Sequence, residues 1–208
     1  MITLHHLDHS RSTRVLWLLE ELGTDYRLIR HQRLPGFRAP ESLAIVHPLG
    51  KAPIVEDGGL VIAESAVILS YLDERYGQGR FSPAAGTPVR IAHDEWLHYA
   101  EGSAAPSLMM TLYAKLAGGL DGVVAQIVTR DATLALDHIN AAVDRNEWLL
   151  GDELTLADIQ MAYLVDLAGF TGLLEGRPGL AAYATRLRQR PALQRALEIG
   201  GPMVPNSG

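Results

Sequence analysis

The sequence predicts an α/β half followed by an all-α half. Three observations carry this reading. Strand-like and helix-like runs alternate as far as about residue 76, no strand signal of any strength follows Thr87, and a segment with little periodicity separates the two. That segment is crowded by Gly77, Gly79, Pro83, Gly86 and Pro88, and it sets the expected domains at residues 1–80 and 87–205.

In chain order, Ile2 to Leu7 alternate weakly and read as a short strand, with a polar turn over Asp8 to Ser12 behind it. Val15, Leu18, Leu19 and Leu22 then recur at helical spacing, and Gly23 sits where a helix end favours glycine. Tyr26 to His31 reads as a second strand, the stretch from Leu34 to Ala39 as a loop, and Pro40 opens a short helix through Val46. Pro53 to Glu56 and Leu60 to Ile62 flank Asp57-Gly58-Gly59, a composition suited to the positive φ angles of a hairpin turn, so this pair is expected to be antiparallel. Ile68, Leu69, Leu72 and Tyr76 form the stripe of a helix from Glu64 to Tyr76. The order to this point is βαβ followed by ββα.

Beyond the boundary, Val89 to about Leu116 and Val123 to about Leu150 read as two long helices separated by Gly118, Gly119 and Gly122, with Gly151 ending the second. Thr155 and Asp158 have the spacing of a capping box and mark another helix start. Pro178 and Pro191 stand where first-turn prolines belong, giving two shorter helices before a polar tail from Gly200.

Composition narrows the functions. With 48% hydrophobic and 20% charged residues, the 208-residue chain is expected to be globular and ordered. A net charge of −6 without a Lys/Arg cluster argues against a nucleic-acid or anionic-membrane surface. There is no cysteine, which excludes disulfides, thiolate-ligated metals and a cysteine nucleophile of the protein's own, so any thiol chemistry uses a thiol from outside. No apolar run approaches membrane-spanning length and no signal-like stretch opens the sequence, so the expected location is cytoplasmic. His5, His6 and His9 invite a metal reading. Adjacent histidines on a strand face opposite sides, however, and no acidic or thiol partner completes a set, so no metal is expected.

The segment from His47 to Ser65, HPLGKAPIVEDGGLVIAES, holds parts for gripping a small zwitterionic peptide. Lys51 supplies a cation, Ala52-Pro53 a peptide whose backbone can be displayed, and Glu64-Ser65 an acid and hydroxyl opening a helix, where backbone N–H groups and the helix dipole favour a carboxylate. Each also has an ordinary reading, as a surface lysine, an edge-strand proline and a helix cap. No reactive group lies in this stretch. The nearest candidates lie from Ser10 to Arg14.

Four segments together, LDHSRSTRVLWLLEELG, HPLGKAPIVEDGGLVIAES, EWLHYAEGS and LTLADIQMAY, resemble the cytosolic glutathione transferases over essentially the whole chain, and within them the serine-type bacterial and fungal members. The resemblance implies a thioredoxin-like N-terminal domain that holds glutathione as co-substrate, a C-terminal helical bundle that supplies most of the electrophile pocket, and a homodimer. It places the activating hydroxyl at Ser10, with Ser12 as runner-up and Arg11 assisting by charge. It assigns glutathione binding to Lys51, with Arg38 as a weaker candidate for the same carboxylate, and to Ala52 and a cis Pro53 that turn backbone groups toward the cysteinyl peptide. Glu64 and Ser65 would then meet the γ-glutamyl ammonium and carboxylate. For the electrophile it implies His98, Tyr99, Ser103 and Phe170, each of which is equally readable as core. Asp158 resembles the family's capping aspartate, with a folding role.

Chemistry agrees with this assignment. A thiol with a pKa of roughly 8.5 must ionise to attack, and a donated hydroxyl hydrogen bond backed by a helix N-terminus can lower that value by about 2 units. The expected activity is conjugation of glutathione thiolate to hydrophobic electrophiles, with organic hydroperoxide reduction by the same thiolate. The alternatives are a non-catalytic glutathione or hydrophobic-ligand binding protein, and a glutathione-dependent isomerase or dehalogenase.

Overall fold

The computed structural model describes residues 1–205. Its elements are β1 (Ile2–Leu7), α1 (Ser12–Leu22), β2 (Tyr26–His31), α2 (Glu41–Val46), β3 (Ile54–Asp57), β4 (Leu60–Ala63), α3 (Ser65–Tyr76), α4 (Pro88–Tyr99), α5 (Ala105–Ala117), α6 (Gly122–Val143), α7 (Leu156–Thr171), α8 (Pro178–Arg188) and α9 (Pro191–Gly200). The expected α/β and all-α halves are both present. By contacts the described residues divide into two compact units, Met1–Ser82 together with residues 188–205, and Pro83–Leu187. The helix α9 therefore belongs with the first unit, although chain order alone groups it with the helical half.

In the first unit the sheet runs β2-β1-β3-β4. The β1 and β2 strands are parallel, with Ile2 opposite Tyr26 and Leu7 opposite His31, and the other two pairings are antiparallel. Gly58 and Gly59, at φ 57° and 89°, make the tight β3–β4 turn that requires left-handed backbone. Alternation along β1 sends His5 and His6 to opposite sides. His5 bonds His31 and Glu56 on the side where Leu7, Leu43 of α2 and Ile54 cluster, and His6 bonds the start of α1 and the end of α9. The helix α1 is buried from Ser12 to Leu19, beyond what one apolar stripe accounts for, because α3 and α9 both pack on it.

The second unit is built around α7, buried almost continuously from Leu156 to Val165. Asp158 accepts from the backbone N–H groups of Thr155 and Leu149, both at 2.9 Å, and from the Tyr183 hydroxyl at 2.8 Å. The first long helix is interrupted: Ala100–Ala104 adopt a π-helical turn between α4 and α5. Pro106 lies just beyond, and its ring and missing N–H are incompatible with an unbroken α-helical ladder there. The second long helix is shorter than its periodicity predicts, since α6 stops at Val143 and not near Leu150. Trp148 and Leu149 turn inward and are buried, Trp148 pairs with Gly151, and the Leu149 N–H goes to Asp158. Tertiary burial ends the helix where local spacing would continue it. No helix among the described residues is long and apolar enough to cross a membrane.

Candidate active site

The end of β1 and the start of α1 bring two hydroxyls together. Ser10 Oγ lies 2.7 Å from both Leu7 O and Ser12 Oγ, and it accepts the Ser12 N–H at 3.1 Å. Ser12, the first residue of α1, is 0% exposed, and its oxygen also accepts the Leu7 N–H at 3.1 Å and contacts His6 Nδ1 at 2.8 Å. Of the two, Ser12 is enclosed by the protein's own groups, while Ser10 retains 5% exposure. Arg11 occupies the N-cap position of α1, half-buried and with no side-chain cap bond. His6 is held below the ordinary imidazole pKa by burial.

In the same unit, Lys51 is exposed and Pro53 buried in the loop leading into β3, and the Ala52–Pro53 peptide is cis. Ala52 packs against the Leu7, Leu43 and Ile54 cluster, which fixes that loop to the sheet and α2. Glu64 is the exposed N-cap of α3, at φ 66° and ψ 116°. A non-glycine residue held there costs about 1–3 kcal/mol, and such strain concentrates at binding sites. Ser65 follows as the first residue of α3, 4% exposed, and accepts a hydrogen bond from Arg14 Nη1 at 3.2 Å. The N-terminus of α3 thus combines helix dipole, hydroxyl and a fully buried guanidinium, a setting for a carboxylate. Arg14 was not among the binding candidates. Its only sequence signal is a cation within the apolar run of α1, and its partner is 51 positions away. Arg38 stands exposed in the loop over Leu34–Arg38, bridged back to Leu34.

The second unit contains a cavity of about 660 Å³ lined by Glu95, Trp96, His98, Tyr99, Gly102, Ser103 and His138. Trp96 stacks on His138 with centroids 4.8 Å apart, and Tyr99 meets both rings edge-on. The Tyr99 hydroxyl donates to Ala135 O at 3.0 Å, and burial pushes its pKa up to about 12, so it remains a protonated, fixed wall. Three of the four electrophile candidates, His98, Tyr99 and Ser103, come together here. Phe170 does not line this cavity; it lies under Lys115, whose ammonium is 4.5 Å from its ring centre and bonds its carbonyl. The resemblance carried by EWLHYAEGS pointed to His98, Tyr99 and Ser103, but His138, on α6, has no local signal. Among the described residues no group of three or more His, Asp or Glu side chains is placed to hold a metal ion.

Residues 1–74 match the family profile described as glutathione S-transferase, N-terminal domain, and residues 123–199 that described as glutathione S-transferase, C-terminal domain. Glutathione S-transferase 3 of Schizosaccharomyces pombe is 32% identical, over 95% of this chain and 87% of its own. Among solved structures, a glutathione S-transferase from Actinobacillus pleuropneumoniae superposes with a TM-score of 0.88 at 35% identity, covering 96% of this chain and 93% of that one. A glutathione transferase family member from Pseudomonas fluorescens, solved with two glutathione bound, gives 0.82 at 26%, covering 95% and 92%. With both profiles matched in chain order and a relative similar along nearly its whole length, the chain belongs to the glutathione S-transferase family.

Proposed function

We propose that this enzyme binds glutathione on its first unit, ionises the thiol beside Ser10, and conjugates the thiolate to hydrophobic electrophiles. The carrying observation is the start of α3, where adjacent Glu64 and Ser65 present an acid and a hydroxyl, and buried Arg14 of α1 brings a cation to Ser65. That set matches the carboxylate and ammonium of a γ-glutamyl group. Glutathione in the Pseudomonas relative supports the same ligand. In this reading Lys51 and Arg38 are the cations offered to the glycyl carboxylate, Ala52 and Pro53 present backbone to the cysteinyl peptide, and Arg11 adds positive charge near sulfur.

Ser10, the less enclosed of the two hydroxyls, donates to the thiolate. The sulfur then attacks the electrophile, its electron pair forming the new S–C bond as the leaving group departs. The aromatic cavity with His98, Tyr99 and Ser103 is the proposed electrophile pocket. The same reading includes organic hydroperoxide reduction, a cytoplasmic enzyme and a homodimer.

The test is a screen of wild type, Ser10→Ala and Ser65→Ala with several electrophiles and one hydroperoxide. Ser10→Ala is expected to lose about 25-fold in turnover at pH 7 while retaining glutathione, the fall in thiolate fraction when the thiol pKa returns from about 6.5 to about 8.5. Ser65→Ala is expected to weaken glutathione binding about 10-fold or more, the scale of one hydrogen bond to a charged group. Binding without turnover of any substrate would instead identify a carrier.

A further inference from the structure

The Ser10 hydroxyl is the outer end of a buried chain. Ser10 Oγ is 2.7 Å from Ser12 Oγ, Ser12 Oγ is 2.8 Å from His6 Nδ1, and His6 Nε2 is 2.9 Å from the carbonyl oxygen of Gly200. All three side chains are buried, His6 and Ser12 completely. A carbonyl only accepts, so Nε2 carries the imidazole hydrogen. While no thiolate is bound, burial favours the neutral form of His6, and its Nδ1 is then a bare acceptor for the Ser12 hydroxyl.

Two backbone donors complete the chain. The Leu7 N–H occupies one lone pair of Ser12 Oγ and the Ser12 N–H one lone pair of Ser10 Oγ, each at 3.1 Å. Each hydroxyl is left with one hydrogen to give and one lone pair to fill, so with a ligand at Ser10 the chain has two fully satisfied polarities. Pointing inward, a thiol S–H donates to Ser10, Ser10 to Ser12 and Ser12 to His6 Nδ1. Pointing outward, His6 Nδ1–H donates to Ser12, Ser12 to Ser10 and Ser10 to a thiolate. The Leu7 carbonyl, 2.7 Å from Ser10 Oγ and 3.2 Å from Ser12 Oγ, offers either hydroxyl hydrogen another acceptor when no thiol is present.

We propose that this chain is the path by which the bound thiol is ionised, with His6 as the internal proton acceptor, a step that rests on glutathione binding beside Ser10 as described above. The S–H bond breaks with its electron pair left on sulfur, and its proton passes to Ser10 Oγ. The Ser10 hydrogen moves to Ser12 Oγ and the Ser12 hydrogen to His6 Nδ1, so the products are a thiolate and an imidazolium and no proton leaves the protein. His6 is a positioning and proton-holding residue here, since of the three chain members only Ser10 touches the sulfur. Asp8 favours the imidazolium, while Arg30 and His31 oppose it, and Arg30 is paired with Asp8 at 3.2 Å. On the α9 side the imidazole faces the Gly200 carbonyl.

The experiment mixes the purified protein with glutathione in weak buffer near neutral pH, reading thiolate by ultraviolet absorbance and released protons by an indicator dye, each relative to Ser10→Ala. Wild type is expected to form more thiolate than it releases protons. His6→Asn keeps an acceptor for Ser12 but cannot hold a proton. It is expected to release as many protons as it forms thiolates, and to form about threefold less thiolate at pH 7, the effect of a rise in thiol pKa from about 6.5 to about 7.5. Ser12→Ala interrupts the path from the other side, is expected to behave likewise, and decides the matter if His6→Asn does not fold. Equal thiolate and proton yields in wild type overturn the path and leave the proposed function standing. No thiolate in wild type overturns both.

Discussion

Asp57 ends β3 with a carboxylate that is 4% exposed, yet three groups converge on it. Tyr76 and Tyr71 donate hydroxyl hydrogen bonds to it, the latter at 2.8 Å, and Arg75 Nε lies 3.4 Å away. The Tyr76 bond, followed by the Tyr71 bond and the Arg75 charge, outweighs desolvation and holds this carboxyl below the usual aspartate range. With a folded pKa below the unfolded one, the folded protein binds fewer protons. The stabilisation is therefore present above the unfolded value of about 3.9 and disappears as pH falls through the folded value. Asp57→Asn is expected to cost about 1–3 kcal/mol at neutral pH, the scale of hydrogen bonds to a charged group, and to flatten the acid limb of the stability curve. Thermal unfolding of both proteins between about pH 6 and pH 2 checks this, and parallel acid limbs would contradict it. Asp57 was legible only as a turn residue beside two glycines. Its tyrosines lie 14 and 19 positions on, across the hairpin and along α3, where no local pattern points back to it.

At the scale of elements, the packing of α9 on α1 depends on a missing side chain. A Cβ at Gly200 would lie 2.7 Å from Leu16 Cδ2, 2.9 Å from His6 Cε1 and 3.0 Å from His6 Nε2, so only glycine leaves both neighbours in place. Gly200→Ala is expected to destabilise the protein by about 1–3 kcal/mol through overpacking, read as a lower denaturant midpoint. An unchanged midpoint would mean that α9 yields at no cost. The apolar spacing of Val15, Leu18, Leu19 and Leu22 was enough to locate α1, since periodicity is a local property. It could not show that α1 is covered on two sides. The helix starts that carry Ser12, Glu64 and Ser65 were legible for the same local reason. The contacts that give those residues chemistry were not, because Arg14 reaches Ser65 and His6 reaches Gly200 only after the chain has folded. Likewise, nothing local to residues 144–150 announces that Trp148 and Leu149 gain more from burial than from continuing α6.

For the whole molecule, the discontinuity of the first unit has an energetic meaning. Residues 1–82 contain the sheet, α1, α2 and α3, and so every proposed glutathione contact, yet one face of α1 is completed by residues from the other end of the chain. Ala192, Leu193 and Ala196 of α9 are buried, Arg190 grips Glu21 with bonds of 2.8–3.0 Å, and Arg195 Nε bonds Glu20 at 3.0 Å. The ion pairs are partly exposed and contribute modestly, so the apolar contacts decide the outcome. Truncating a buried leucine costs about 2–5 kcal/mol where the site cannot collapse, a large share of a typical total of about 5–15 kcal/mol. Leu193→Ala is accordingly expected to lower whole-chain stability by that amount. A fragment of residues 1–82 loses the entire helix and leaves Leu16 and its neighbours facing water, so it is expected to lack a cooperative unfolding transition. Joining residues 188–205 to it by a flexible linker is expected to restore both the transition and measurable glutathione binding. Calorimetry and amide spectra of the two fragments provide the comparison. A cooperatively folded 1–82 fragment would show that α9 is dispensable, and that the glutathione-binding unit ends where the sequence alone places the domain boundary.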